Sequence, residues 1–135
     1  MADYEKPLPP ITDDTKPFWD GCKRHELLLP KCKACNRIHY YPRMYCPHCM
    51  SDDLEWIKAS GKGRVYSFTV VHLPPRPAFA PDVPYTVAVI ELQEGVHMMS
   101  NVVQCPPENV KIGMPVQVVF DDVTEEITLP KFKPV

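Results

Sequence analysis

The sequence predicts a mainly β protein, built as one compact domain with a small attachment. Seventeen prolines stand against five glycines in 135 residues, and proline resists both helix interiors and central strands. Hydrophobic residues make up 44% of the chain, which is enough for a real core. From Arg64 onward, short segments alternate polar and apolar residues with the period of two that is typical of strands.

Charge and hydropathy exclude several classes of protein. The formal net charge is -2 and the pI is about 6.2, so no global basic field attracts nucleic acid or an anionic membrane. No apolar run approaches the ~20 residues of a membrane span. The start, MADYEKPLPP, lacks the pattern of a signal peptide. We therefore expect a cytoplasmic protein with reduced thiols, a condition that favours bound metal over disulfides.

The N-terminal region, residues 1–30, is predicted to contain an extended proline-rich arm and then a helix from about Thr15 to His25. Phe18 and Trp19 lie on the apolar side of this helix. They could pack on the chain's own core, or the helix could dock on another subunit or form a wall of a ligand channel. The residues alone leave both interpretations open.

Four cysteines form two C-x2-C pairs that are separated by ten residues: Cys32, Cys35, Cys46 and Cys49. Each pair makes a tight knuckle that directs two sulfur atoms at one ion, and two knuckles complete the tetrahedral shell of a structural zinc. Iron fits the same ligands, and two disulfides or reduced core cysteines are the alternatives without metal. Because a closed shell leaves no position for water, we expect the ion to stabilise structure and not to catalyse.

The zinc ribbon is predicted to span residues 31–58, with His39, Tyr40 and Tyr41 as a strand that returns between the knuckles. His39 and His48 are expected to lie outside the metal shell, since four cysteines already complete it. After the ribbon, residues 59–63 are predicted to be a flexible joint.

Residues 59–135 are predicted to form a barrel with a C-terminal tail. The five expected strands occupy residues 64–73, 85–92, 96–103, 116–123 and 125–129. Five strands in about 75 residues are too few for an immunoglobulin-like sandwich, and they suit a small barrel such as the OB-fold. In the first strand we expect Tyr66 and Phe68 to share one face, opposite Val65. The last six residues, PKFKPV, are expected to be an extended tail.

A proline-rich loop from Pro74 to Pro84 is the best candidate for function within the barrel, because such loops display function on a rigid scaffold. Its Arg76 and Phe79 could hold a phosphate and a flat ring. The alternative is a structural lid over the barrel mouth. We recognise no nucleophile elbow, phosphate loop or dinucleotide-binding fingerprint in the sequence, and we assign no catalytic residue.

An ordered succession of motifs runs through nearly the whole chain after residue 12. The motifs are PFWDG at 17–21, CPHC at 46–49, GKGRVYSFTVVH at 61–72, PPRPAFAPDVPY at 74–85, IGMPVQVVF at 112–120 and LPKFKP at 129–134. Together they resemble the family of acyl-CoA-associated OB-fold proteins with a rubredoxin-like zinc ribbon. Asn36 and Met50 depart from that family, which more often has glycine after each knuckle.

The resemblance implies an accessory subunit whose catalytic residues lie on a second polypeptide. That partner would be a thiolase-like protein (a thiolase, an acyl-CoA aldolase or a hydroxymethylglutaryl-CoA synthase) in a heterotetramer or larger complex. The resemblance further implies one structural zinc per chain and a coenzyme A thioester shared with the partner. Arg76, Phe79 and Tyr85 are its candidate CoA contacts, and Phe18 and Trp19 are its candidate docking residues. Related complexes break down aromatic compounds, steroid side chains and fatty acids.

Two other classes of function stay open. OB-folds bind single-stranded nucleic acid with stacking aromatics, and Tyr40, Tyr41, Tyr66 and Phe68 could stack. The acidic pI and the lack of a basic stripe argue against that role. The chain could also act on, or carry, an acyl-CoA by itself.

Overall fold

A computed structural model describes residues 6–135, so the first five residues of the predicted arm lie outside the described part. Helix α1 spans Lys16–Lys23, within the predicted bounds, and has proline in its first turn, where a missing N–H is tolerated. The backbone then turns at His25, whose φ of 61° is left-handed, and enters the first strand.

Seven strands follow in the described part of the chain. They are β1 (Leu28–Cys32), β2 (Leu54–Lys58), β3 (Lys62–Val71), β4 (Tyr85–Leu92), β5 (His97–Val102), β6 (Pro115–Asp122) and β7 (Thr128–Pro134). A 3-10 helix at Pro77–Asp82 lies inside the predicted proline-rich loop, and another at Pro107–Asn109 follows β5.

The ribbon sheet consists of β1 and β2, which are antiparallel with Leu28 opposite Lys58 and Cys32 opposite Leu54. The predicted strand at residues 39–41 is wrong, because this segment meets β1 only near an isolated bridge between Lys31 and Ile38. Proline at position 30 of β1 has no N–H to donate, so a longer ladder on that side would lack one of its bonds. Strand β1 pairs instead with β2, which follows the second knuckle.

Strands β3 to β7 form a closed five-stranded barrel, which confirms the predicted OB-type architecture. Their order around the barrel is β3-β4-β5-β7-β6, and β6 pairs back onto β3. All neighbours are antiparallel except β5 and β7, which pair in parallel at one position, Val102 opposite Phe132. The seam between β5 and β7 is thus the weakest-paired side of the barrel.

The last strand does not lie where the sequence predicted it. Residues 124–126 form a bend, and the segment expected to be a tail is most of β7, with Phe132 wholly buried in the core. The Phe132 carbonyl accepts a hydrogen bond from Val103 N–H at 2.7 Å, so it faces β5. In a strand, the N–H and C=O groups of every second residue point toward the same neighbouring strand. At Pro130 and Pro134, each two residues from Phe132 in this alternation, the missing N–H groups would therefore have pointed toward β5, across the sparsely paired seam.

A bulge in β3 also makes the predicted arrangement of Tyr66 and Phe68 on one face of this strand wrong. The register shifts between Val65 and Ser67, so the alternation restarts after one extra residue. Val65 is fully buried and Phe68 packs on the core, whereas Tyr66 is 54% exposed. Tyr66 and Phe68 therefore do not share a face.

The joint at residues 59–63 packs against both the ribbon and the barrel. Ala59 is buried and donates its N–H to the Leu27 carbonyl at 2.8 Å. The Gly61 carbonyl accepts from Val118 N–H at 2.8 Å, and a Cβ on this glycine would lie 2.6 Å from a Val118 methyl group. Buried residues of α1, β1 and the barrel accordingly form one hydrophobic core.

Candidate metal centre and ligand cleft

The two C-x2-C pairs form two equivalent turns. In the first, Asn36 N–H donates to the Cys32 carbonyl at 2.8 Å; in the second, Met50 N–H donates to the Cys46 carbonyl at 2.8 Å. Asn36 and Met50 have φ values of 63° and 67°, the left-handed region in which glycine is least strained. The two positions that depart from the family pattern therefore still close the knuckles.

The four sulfur atoms fit one tetrahedral ion. All four ligand atoms lie within 4.8 Å of one another, and the Sγ–Sγ distances are 3.6 Å for Cys32 with Cys49 and 3.6 Å for Cys35 with Cys46. Zinc–sulfur bonds of about 2.3 Å in a tetrahedron place the sulfurs about 3.8 Å apart. The structure thus brings together all four predicted ligands at the spacing that zinc needs.

The thiols of this cluster do not ionise alike without a cation. Burial raises the pKa of Cys46, but hydrogen bonds from the backbone N–H groups of His48 and Cys49 outweigh it and bring this pKa down to about 7. The backbone N–H of Ser51 lowers the pKa of Cys49, yet its contacts with neighbouring thiols raise it to about 12. A bound dication would remove this conflict, because it stabilises four thiolates together.

Two histidines flank the cluster, as expected for residues outside the metal shell. His48 is exposed, and its Nδ1 lies 3.3 Å from Arg37 Nη1, a contact that joins the two knuckles. His39 is 4% exposed, and neither of its ring nitrogens has a hydrogen-bond partner among the described residues. Burial, with the nearby His48 and Arg43, lowers the pKa of His39 and so favours its neutral form.

A cleft of about 530 Å³ opens at the barrel mouth under the proline-rich loop. Two of the three predicted CoA contacts line it: the rings of Phe79 and Tyr85 stack with centroids 5.9 Å apart and an interplanar angle of 29°. Arg76 is exposed at the start of the same loop and lies outside the set of described residues that line the cleft.

The sequence interpretation missed the polar groups of this cleft. Lys6 pairs with Asp82 at 2.5 Å, and Lys131 pairs with Asp121 at 2.8 Å. Thr86 is 2% exposed, and its hydroxyl has no hydrogen-bond partner in the described part of the chain. The sequence contained one local sign of this polar site: Thr86 is the only polar residue among the buried, inward-facing positions of β4.

Phe18 and Trp19 lie in the chain's own core. They are 1% and 7% exposed, and their rings meet edge to face with centroids 4.9 Å apart. Any docking by α1 would therefore use its exposed side and not these two rings. A recess of about 190 Å³ lies beside them, between α1, β5 and β7.

Helix α1, at eight residues, cannot cross a bilayer, and no other helix of residues 6–135 can do so.

Comparisons with known proteins place the chain in a family. The rubredoxin-like zinc ribbon domain of ChsH2 matches residues 19–55, and the C-terminal OB-fold domain of ChsH2 matches residues 56–121. A DUF35 domain-containing scaffold protein of Methanocaldococcus jannaschii is 41% identical over 120 residues, which cover 84% of this chain and 84% of that protein. The chain belongs to the DUF35 family.

Two further relatives of this DUF35 chain are informative. A chain of a solved Ltp2-ChsH2(DUF35) aldolase is 39% identical, matches 94% of this chain and 98% of that one, and superimposes with a TM-score of 0.85. A probable enoyl-CoA hydratase alpha subunit of Thermomonospora curvata is 40% identical over 129 residues. Those residues are 96% of this DUF35 chain but 40% of the hydratase subunit, so the chain spans only two fifths of that relative.

Proposed function

We propose that this DUF35 chain is the zinc-containing, non-catalytic accessory subunit of a thiolase-like complex that acts on acyl-CoA thioesters. The observation that carries the proposal is the match, over nearly the full length of both chains, to a chain of a solved Ltp2-ChsH2(DUF35) aldolase. The similarity to a DUF35 scaffold protein supports a role in assembly. Aromatic, steroid and fatty-acid catabolism are the settings we predict for such a complex.

The ribbon would act as a rigid bracket. Zinc held by Cys32, Cys35, Cys46 and Cys49 supplies folding free energy, because structural sites of this kind form only with the metal bound. Phe18 and Trp19 would contribute indirectly, by fixing α1 on the barrel so that its exposed side can meet the partner.

The cleft would hold part of the coenzyme A. Phe79 and Tyr85 present an aromatic surface there. Arg76, exposed on the same loop, could reach a phosphate outside the cleft. The catalytic step itself would take place on the partner.

Co-expression with thiolase-like proteins of the same genome tests the proposal. We expect one of them to form a stable hetero-oligomer with this chain on size exclusion, and acyl-CoA cleavage or condensation to require both polypeptides. The Cys32→Ser variant should lose the metal and weaken assembly, and Cys105→Ser is its matched control. Full activity of the thiolase-like protein without this chain would rule the proposal out.

The nucleic-acid alternative has weaker support from the geometry. Its stacking residues would need one exposed face, but Tyr40 packs against Phe18 with ring centroids 5.7 Å apart, and burial raises the pKa of its phenol. Tyr66, by contrast, is 54% exposed on the outside of the barrel. Salt-dependent binding of single strands at micromolar concentration would revive this alternative.

A further inference from the structure

We infer that the cleft at the barrel mouth takes the adenine nucleotide end of coenzyme A, and that the pantetheine arm leaves it along the β5-β7 seam toward Trp19. The inference rests on the proposed function. It adds to that function an orientation for the ligand and further contacts at Thr86, Asn101 and Trp19.

An aromatic shelf forms one wall of the cleft. Phe79 and Tyr85 stack on each other with ring centroids 5.9 Å apart and an interplanar angle of 29°, and both line the cavity. Phe79 is held within the 3-10 helix Pro77–Asp82, which Pro81 stiffens. A purine ring gains free energy by stacking on such a surface, whichever base edge it presents.

The polar groups of the cleft match a base edge. The Thr86 hydroxyl is buried without a partner among the described residues, a costly state that a ligand atom would relieve. Beside it, Asn101 Nδ2 donates to the Thr86 backbone carbonyl at 2.9 Å, which orients the Asn101 side chain in the cleft. A hydroxyl donor beside a carboxamide acceptor is the pair that an adenine edge requires.

The charges at the rim suit phosphates that bind with modest strength. Lys6 and Lys131 line the cleft, but each is paired with a carboxylate, Asp82 at 2.5 Å and Asp121 at 2.8 Å. Phosphate groups would compete with these two aspartates for the lysines. Binding should therefore weaken with added salt, and the aromatic shelf should supply much of the affinity.

The direction of the ligand follows from a second cavity. The recess of about 190 Å³ beside α1 shares Asn101, Leu129 and Lys131 with the cleft, so the two spaces adjoin along the seam. Its volume of about 190 Å³ is too small for a nucleotide but suits part of an extended chain. Trp19 lines it, and the Trp19 Nε1–H has no partner in the described part of the chain. An amide carbonyl of pantetheine could accept that hydrogen bond.

Three probes separate the two ends of coenzyme A: the whole molecule, adenosine 3′,5′-bisphosphate and pantetheine. Trp56→Phe leaves Trp19 as the single tryptophan, since the chain has two, so its emission reports the recess. By calorimetry we expect coenzyme A and the bisphosphate to compete for one site, and pantetheine to bind at least about tenfold more weakly. Coenzyme A, and pantetheine at higher concentration, should change the Trp19 emission, whereas the bisphosphate should leave it unchanged.

Each other outcome has a distinct meaning. Tight binding of pantetheine without competition by the bisphosphate would overturn the orientation, while coenzyme A binding would stand. Competition without a change in Trp19 emission would overturn the path along the seam. If none of the three probes binds to the chain or to its complex, the CoA-binding part of the proposed function fails as well.

Two substitutions test the adenine contacts directly. Thr86→Val keeps the side-chain shape but removes the hydroxyl, so affinity for the bisphosphate should fall about two- to tenfold, the effect of one neutral hydrogen bond. Its melting temperature should stay the same or rise, because an unpartnered buried hydroxyl has been removed. Phe79→Leu should lower the affinity by about fivefold or more through lost stacking. Thr69→Val, on the exposed side of β3, is the control; unchanged affinity in both test variants would overturn the assignment.

Discussion

His25 stacks on Phe120, with ring centroids 5.1 Å apart and an interplanar angle of 18°. The same imidazole places its Nε2 3.0 Å from a carboxylate oxygen of Asp122, which also accepts a hydrogen bond of 2.5 Å from the Thr128 hydroxyl. His25 follows α1, whereas Phe120 and Asp122 belong to β6. One side chain at the end of the helix therefore ties the N-terminal region to the barrel.

This contact predicts a loss of stability in acid. The hydrogen bond from Thr128, and then that from His25, lowers the pKa of Asp122 below its ordinary value of 3.8. Stabilisation from such a group is complete above the pKa of the unfolded chain and is lost as pH falls through the lower folded pKa. Between about pH 5 and about pH 2, the wild type should lose more free energy of unfolding than Asp122→Asn.

Urea unfolding at several pH values measures this difference. Glu125→Gln, which removes an exposed carboxylate from the neighbouring bend, is the matched control and should follow the wild type. Parallel pH curves for the wild type and Asp122→Asn would show that the contact contributes no pH dependence.

The zinc prediction concerns both metal content and folding. We expect about one zinc per chain by metal analysis, since the four thiolates form one closed shell. Cys32→Ser should lose the metal and lower the free energy of unfolding by several kcal/mol, because the binding free energy of such a site is folding free energy. Cys105→Ser, at a cysteine outside the cluster, should keep both. Unchanged folding after complete chelation would contradict the prediction.

Alanine substitutions at two glycines with positive φ distinguish the cost of backbone strain from the cost of overpacking. Gly61 (φ 79°) would place a Cβ 2.6 Å from a Val118 methyl group, whereas Gly95 (φ 94°) has nothing within 4 Å of that position. Gly95→Ala should destabilise the protein by about 1–2 kcal/mol, the cost of a left-handed alanine. Gly61→Ala should cost a further ~1–3 kcal/mol from overpacking. If urea unfolding shows that both variants lose the same free energy of unfolding, Val118 must move away from the added methyl group at position 61 at little cost.

The final strand predicts an unusual sensitivity near the C-terminus. Phe132 is wholly buried in the barrel, so Phe132→Ala should lower the free energy of unfolding by about 3–5 kcal/mol. Its neighbour Lys133 is only partly buried, and Lys133→Ala should change stability by no more than about 0.5 kcal/mol. If both variants unfolded like the wild type, this segment would be a tail, as the sequence first indicated.

Much of the architecture could be predicted from local spacing. The two C-x2-C pairs indicated the metal cage because each knuckle is made by four consecutive residues. The alternation of residue types in residues 85–92 predicted both ends of β4 correctly. The helix and the first four barrel strands also followed from periodicity. In each case neighbours in sequence are neighbours in the element, so a short window contains the relevant information.

The tertiary structure decided which segments meet. Proline in PKFKPV argued against a strand, yet the segment is tolerated because its missing N–H groups face the sparsely paired side of the barrel. The cleft likewise joins the arm at Lys6, the loop at Phe79, β4 at Thr86 and β7 at Lys131.

The sequence by itself determined the helix, four of the five barrel strands and the four candidate metal ligands of this protein. Only the closed barrel decided that residues 130–134 belong to a strand, and only the packed core decided that Phe18 and Trp19 face inward. Periodicity within one segment does not reveal which distant segment will cover it, because that choice depends on the burial and pairing of the whole chain.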